Sequence, residues 1–167
     1  MDWFHPLNNY CERQIAGLAG EPVNALTNLI FIALGLILTL KTKTNRFCFY
    51  FSIQIIAIGI ASSIFHTFAN NLGALLDIVS IIVFGMTYIF AVNLCFLNVS
   101  YFLSFLIAML LIPFSFAISF LTMISLGELN GSSWYISFVI LFLIYAFLLR
   151  KICSEFSSVL LYSTAFF

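Results

Sequence analysis

The sequence predicts an all-α fold, a polytopic membrane helix bundle. Of its 167 residues, 63% are hydrophobic and only 7% are charged, whereas soluble domains carry about 25% charged residues. Six acidic and six basic side chains cannot cover the surface of a soluble globule of this size, and the mean hydropathy is +1.17. A net charge of zero without a basic cluster also argues against nucleic acid as a partner.

Apolar stretches of membrane-spanning length define the elements in order. A helix needs about 20 apolar residues to cross the hydrocarbon layer, and five such stretches follow a polar, extracytoplasmic head of residues 1–22. The predicted spans are 23–40, 47–68, 75–97, 101–126 and 134–149, and a partial span of about half the length is 156–167. Residues 1–167 are therefore treated as one membrane domain.

Local signals explain where these spans begin, bend and end. Pro22 suits the first turn of the first helix, and Pro113 is a candidate for a kink in the fourth span. Asn70, Asn71 and Gly73 predict a tight turn between the second and third spans. A polar loop over 127–133 precedes the fifth span.

The basic residues predict the orientation in the membrane. With the N-terminus outside, five of the six basic residues fall on the cytoplasmic side, and only Arg13 lies outside. The five are Lys41, Lys43, Arg46, Arg150 and Lys151. We therefore expect a multi-pass integral membrane protein with an extracytoplasmic N-terminus.

Polar residues gather at the expected outer end of the first three spans. They are Glu21, Asn24, Asn28, Ser62, His66 and Asp77. Taken singly, each has an ordinary structural interpretation, such as an interfacial histidine, a first-turn acid, a small residue for close packing or an interhelical asparagine. Charged residues in a membrane are costly and commonly functional. An acid, a base and a hydroxyl at one depth suit metal binding, proton relay or hydrolysis.

Three ordered motifs in the first half of the chain resemble those of the alkaline ceramidase family. They are Tyr-Cys-Glu-Arg at 10–13 with Glu-Pro-Val-Asn-Ala-Leu-Thr-Asn at 21–28, Ser-Ser-Ile-Phe-His-Thr at 62–67, and Asp77 eleven residues after His66. Members of this family are seven-helix intramembrane zinc amidases, related in architecture to adiponectin-receptor-type proteins. The resemblance implies five full spans and part of a sixth of that fold, and a hydrolase of ceramide or a related N-acyl lipid.

The resemblance also implies roles for particular residues. His66 would be a zinc ligand, Asp77 would move the proton of a zinc-activated water, and Ser62 would donate to the developing oxyanion. The family places two further zinc ligands in a His-x-x-x-His pair on its seventh helix, but this sequence has only two histidines, His5 and His66. We therefore expect that the chain is truncated, and its own hydrolase activity stays open. A genuine short homologue that pairs with another chain, or that keeps only lipid binding, is the alternative.

A calcium site in the head is a second expectation from the resemblance. Glu12 and Glu21 match ligand positions, Tyr10 would offer its backbone carbonyl, and Asn9 stands where the family has an aspartate. Calcium prefers several hard oxygen ligands and gains from carboxylate charge, so the asparagine weakens this site. The alternative is that the two glutamates cap and orient the head.

Two functions of other classes compete with the hydrolase. The first is a non-catalytic membrane module that binds lipid or acts as a receptor, and the second is a small proton-coupled transporter that uses Asp77 and His66 as its relay. Transporters commonly contain internal repeats with broken helices, and the sequence shows no such repeat. Stoichiometric zinc would distinguish an amidase from a binding module. The substrate and the oligomeric state are not determined by the sequence.

Overall fold

The computed structural model describes residues 2–7, 13, 20–127 and 133–164 of the chain, without the side chain of residue 163. Within these residues the regular structure is helical, apart from one isolated bridge between Pro6 and Asn70. The all-α prediction is confirmed. The helices are α1 (Pro22–Lys41), α2 (Arg46–Phe68), α3 (Asn71–Cys95), α4 (Tyr101–Met109), α5 (Leu111–Leu126), α6 (Ser133–Leu149) and α7 (Ser154–Thr164).

Four helices in the described residues are long and apolar enough to cross a membrane. They are α1, α2, α3 and the 26-residue stretch Tyr101–Leu126, which contains α4 and α5. The apolar helix α6, of 17 residues, is shorter. Many large apolar side chains remain exposed on these helices, for example Ile30, Leu40 and Phe120. This pattern is compatible with an integral membrane protein, in which lipid covers such faces.

The turn before α3 is shorter than the sequence predicts. Ala69 adopts a left-handed conformation with a φ of 37° and ends α2, and α3 begins at Asn71 instead of near residue 75. The side chain of Asn70 accepts a hydrogen bond from the backbone N–H of Gly73 at 2.8 Å. This bond satisfies a backbone donor of the first turn, so Asn71 and Gly73 lie within the helix.

The fourth predicted span is interrupted at Leu110. α4 ends at Met109 and α5 starts at Leu111, which places Pro113 in the first turn of α5. Proline has no N–H to donate to the carbonyl four residues earlier, that of Met109, and its ring clashes with that carbonyl. The helix is therefore interrupted where Pro113 predicts a kink.

The first of two compact units, residues 1–84, contains α1, α2 and the first part of α3. A Cβ atom added to Gly35 would lie 2.9 Å from the carbonyl oxygen of Ser52, and one added to Gly59 would lie 3.0 Å from that of Asn28. Thr39 Oγ1 donates to Ser52 Oγ at 3.0 Å. The backbones of α1 and α2 therefore approach each other closely, as small residues permit in membrane helices.

The second unit, residues 85–167, contains the rest of α3 and the helices α4 to α7. Ser115 and Ser137 join α5 to α6 through their hydroxyl groups at 2.9 Å. Tyr145 donates to Asn93 Oδ1 at 3.1 Å, and Ser157 of α7 donates to a backbone carbonyl of α6. This unit contains none of the site residues that the sequence predicts.

Candidate functional site

Ser62 and Asp77 form a buried pair at the end of unit 1 where α2 turns into α3. Both side chains are buried, and Asp77 is only 6% exposed. The Ser62 hydroxyl donates a hydrogen bond to the Asp77 carboxyl group. Within the described residues, the Oδ1 atom of Asp77 is buried and has no hydrogen-bond partner. An uncompensated carboxyl oxygen at such a place is costly, so Asp77 is poised to interact with a further group.

His66 lies one helical turn after Ser62, in the last turn of α2. Its side chain is 12% exposed, and it lies close enough to Asp77 for the charges of the two groups to interact. Its Nδ1 atom is 2.5 Å from Oε2 of Glu21. The structure therefore brings the predicted acid, hydroxyl and imidazole together.

Glu21 connects the start of α1 to this group. Its side chain is 1% exposed and makes no capping hydrogen bond to the backbone of α1. Oε1 accepts from Arg13 Nε at 2.7 Å, and Oε2 accepts from Asn24 Nδ2 at 3.4 Å in addition to its contact with His66. Burial raises the pKa of Glu21, but the hydrogen bonds from His66, Arg13 and Asn24 outweigh it and hold the pKa below its ordinary value. The Glu21 carboxylate and the Arg13 guanidinium group therefore form a buried ion pair.

Arg13 is a site residue that sequence reasoning missed. Its side chain is 5% exposed, and besides its contact with Glu21 it donates from Nη2 to the backbone carbonyl of His66 at 3.0 Å. The sequence did contain a signal for this role, since Arg13 is the single basic residue on the expected outer side. A lone cation next to buried polar residues commonly has a partner among them.

The structure also distinguishes the two adjacent serines of the second motif. Ser63 donates to the backbone carbonyl of Gly59 at 2.7 Å, within its own helix, whereas Ser62 faces Asp77. A Cβ atom added to Gly73 would lie 3.0 Å from Cα of Phe65. This close approach of α3 to α2 lets the side chains near the turn reach each other.

The head segment 2–7 covers the turn between α2 and α3. The backbone N–H of Leu7 donates to the backbone carbonyl of Ala69 at 2.7 Å, and the backbone N–H of Leu72 donates to the backbone carbonyl of Trp3 at 3.0 Å. His5, the second histidine of the sequence, belongs to this segment and not to a helix. The remaining members of the predicted polar stripe lie on α1, where Asn28 is buried and Asn24 contacts Glu21.

The described residues do not complete either predicted metal site. A catalytic zinc ion takes three protein ligands, and no three histidine, cysteine, aspartate or glutamate side chains in the described part of the chain lie close enough together to hold a metal ion. The calcium ligands predicted at Asn9, Tyr10 and Glu12 lie outside the described residues. Both oxygens of Glu21 are engaged by protein donors.

Comparison with known proteins identifies one family. The Ceramidase family model matches residues 7–165, nearly the whole chain. No curated protein matches the chain, and no solved structure matches it. The matched range includes most of each unit and every residue of the cluster formed by Arg13, Glu21, Ser62, His66 and Asp77.

Proposed function

The chain belongs to the ceramidase family, and from that premise we propose that it is an integral membrane hydrolase that cleaves the amide bond of ceramide or of a related N-acyl lipid. The observation that carries the proposal is the buried contact of Ser62 with Asp77 beside His66. Amide hydrolysis needs a group that moves a proton and a donor for the oxyanion. Asp77 and Ser62 provide these two chemistries.

Asp77 acts as the proton carrier in this proposal. Water adds to the amide carbonyl carbon, and the Asp77 carboxylate accepts the proton that the water loses. When the carbon–nitrogen bond breaks, Asp77 returns this proton to the departing amine, so that a fatty acid and a sphingoid amine are released. The buried Oδ1 atom, which has no hydrogen-bond partner among the described residues, is the atom that suits this exchange.

Ser62 changes its hydrogen-bond partner during the reaction. Its hydroxyl group has one proton, which it donates to Asp77 in the structure. It cannot donate the same proton to a substrate carbonyl oxygen at that moment. We propose that the hydroxyl turns from Asp77 to the oxyanion as it develops, which also leaves the carboxylate more basic when it has to accept a proton.

The lipid substrate reaches this site from the bilayer, because the site lies at one end of apolar helices of membrane-spanning length. From the positive-inside rule we expect that end to face the extracytoplasmic side. Zinc and calcium stay predictions from the family. A zinc ion that used His66 would need further ligands from outside the described residues, and the Glu21 carboxylate already has Arg13 as its cationic partner.

The experiment compares the hydrolysis of ceramide by the purified full chain in lipid nanodiscs with that of single variants. Asp77→Asn and Asp77→Ala should lower the rate by about 10²–10⁴-fold, and Ser62→Ala by about 10²–10³-fold. Ser63→Ala is the matched control and should keep the wild-type rate, because among the described residues the Ser63 hydroxyl donates to the backbone carbonyl of Gly59 in its own helix. Retained hydrolysis in the Asp77 variants would contradict the assigned role.

A non-catalytic lipid-binding module is the second candidate. It is favoured by the lack of a complete group of metal ligands in the described residues. Such a module would bind ceramide in the nanodisc without releasing fatty acid, and Asp77→Asn would leave the binding unchanged. Fatty acid release by the wild type that is sensitive to Asp77 would exclude it.

A further inference from the structure

Three hydrogen bonds form a closed loop around His66. Arg13 donates from Nε to one oxygen of Glu21 at 2.7 Å, the other oxygen of Glu21 meets Nδ1 of His66 at 2.5 Å, and Arg13 Nη2 donates to the backbone carbonyl of the same histidine at 3.0 Å. The contacts hold both the ring and the backbone of His66. They connect residues 45 and 53 positions apart in the sequence.

The charge on Glu21 determines which ring nitrogen carries a proton. Glu21 is paired with the Arg13 guanidinium group at 2.7 Å, and a carboxylate in an ion pair has no proton to donate. The short contact therefore requires a hydrogen on Nδ1 of His66. In the neutral imidazole, the lone pair then lies on Nε2. A carboxylate that holds one ring nitrogen of a histidine in this way sets both the tautomer and the ring orientation.

Arg13 determines which atom of residue 21 faces the histidine. The guanidinium group can only donate, and its Nε atom takes one oxygen of the Glu21 side chain, so the second oxygen is directed at His66. Arg13 and Glu21 are both almost fully buried. Water therefore competes little for these donors, and removal of one partner would leave a buried charge uncompensated.

We infer that Arg13 and Glu21 are positioning residues for His66, which hold its ring with the proton on Nδ1 and direct the other ring nitrogen by fixing the ring plane. The inference rests on the proposed function for the part that His66 takes in hydrolysis. The position of the proton on the His66 ring is inferred independently of the proposed function. A cluster that merely anchored the head to α2 would have no need to set the tautomer.

The test is nitrogen NMR of the full chain, labelled with ¹⁵N-histidine and embedded in lipid nanodiscs at about pH 8, where an ordinary histidine is neutral. The sequence has two histidines, so His5→Gln assigns the remaining signals to His66. In the wild type the Nδ1 atom of His66 should be protonated. An unprotonated Nδ1 in the wild type would overturn the inference.

The Glu21→Gln variant gives the sharpest result. Arg13 will take the amide oxygen of the new side chain, which turns the amide NH₂ toward His66, and the ring must then accept at Nδ1 and carry its proton on Nε2. The tautomer should therefore invert. In Glu21→Gln combined with Arg13→Gln the amide can turn, and the inversion should weaken. Asn24→Ala, which removes only the long contact at 3.4 Å, is the matched control and should keep the wild-type tautomer.

Hydrolysis measured on the same samples separates this inference from the proposed function. If both hold, Glu21→Gln should lower kcat by about 10–100-fold, the loss that is typical when the hydrogen-bond partner of a metal-binding histidine is removed, with little change in KM. If the wild type hydrolyses no amide, the proposed function fails while the tautomers still decide the inference. An unchanged tautomer in Glu21→Gln would overturn the inference even in an active protein.

Discussion

The contact between α1 and α2 depends on a glycine at position 59, and we predict that Gly59→Ala destabilises the protein. A Cβ atom at this position would lie 2.7 Å from Cγ1 of Ile32 and 3.0 Å from both the backbone nitrogen of Ile32 and the carbonyl oxygen of Asn28. The first neighbour belongs to a side chain that can move. The other two are backbone atoms of α1, which can yield only if the helices separate.

The magnitude follows from two opposing effects. Alanine is more favourable than glycine within a helix by about 1 kcal/mol, whereas overpacking of a tight contact costs about 1–3 kcal/mol. The net change should be a loss of up to about 2 kcal/mol in the free energy of unfolding. Membrane helices associate through close packing, so separation of α1 from α2 would also weaken the contact of Glu21 with His66.

The assay is reversible unfolding by SDS in mixed micelles, followed by circular dichroism. Ala57→Leu is a matched control on an exposed position of the same helix and should change the stability by less than about 0.5 kcal/mol. The loss in Gly59→Ala should be smaller in the Ile32→Ala background, which removes the nearest atom, with a coupling energy of about 0.5–3 kcal/mol. Increased stability in Gly59→Ala alone would refute the proposed close contact.

Two further predictions concern unit 2. Pro113→Ala should restore the backbone hydrogen bond to the carbonyl of Met109 and straighten the helix at Leu110. Spin labels at the two ends of Tyr101–Leu126 should then lie farther apart, and an unchanged distance would mean that packing, and not proline, interrupts the helix. Ser115→Ala should lower the free energy of unfolding by about 0.6 kcal/mol and by at most about 1.7 kcal/mol, because it removes the 2.9 Å hydrogen bond to Ser137 of α6. Unfolding in SDS measures this loss, and an equal loss in the exposed control Ser158→Ala would contradict the prediction.

The sequence alone predicted the all-α fold class of the protein. Apolar length and the scarcity of charge are local properties, so they indicated an all-helical fold, and Pro113 marked the interruption at Leu110. The motif around His66 also led to the family that the whole-chain match supports. The start of α3 was placed too late, because the cap that Asn70 provides depends on a side-chain geometry that spacing alone does not reveal.

The tertiary structure decided which polar groups are partners. From the sequence, Glu21 was either a calcium ligand or a residue that caps and orients the head. In the structure its carboxylate contacts Arg13 and His66. The structure also separates Ser62, which faces Asp77, from its neighbour Ser63. The physical reason is that helices apolar on nearly every face do not reveal which face turns inward. That rotation is set by close packing between residues far apart in the sequence, and only the folded chain shows it.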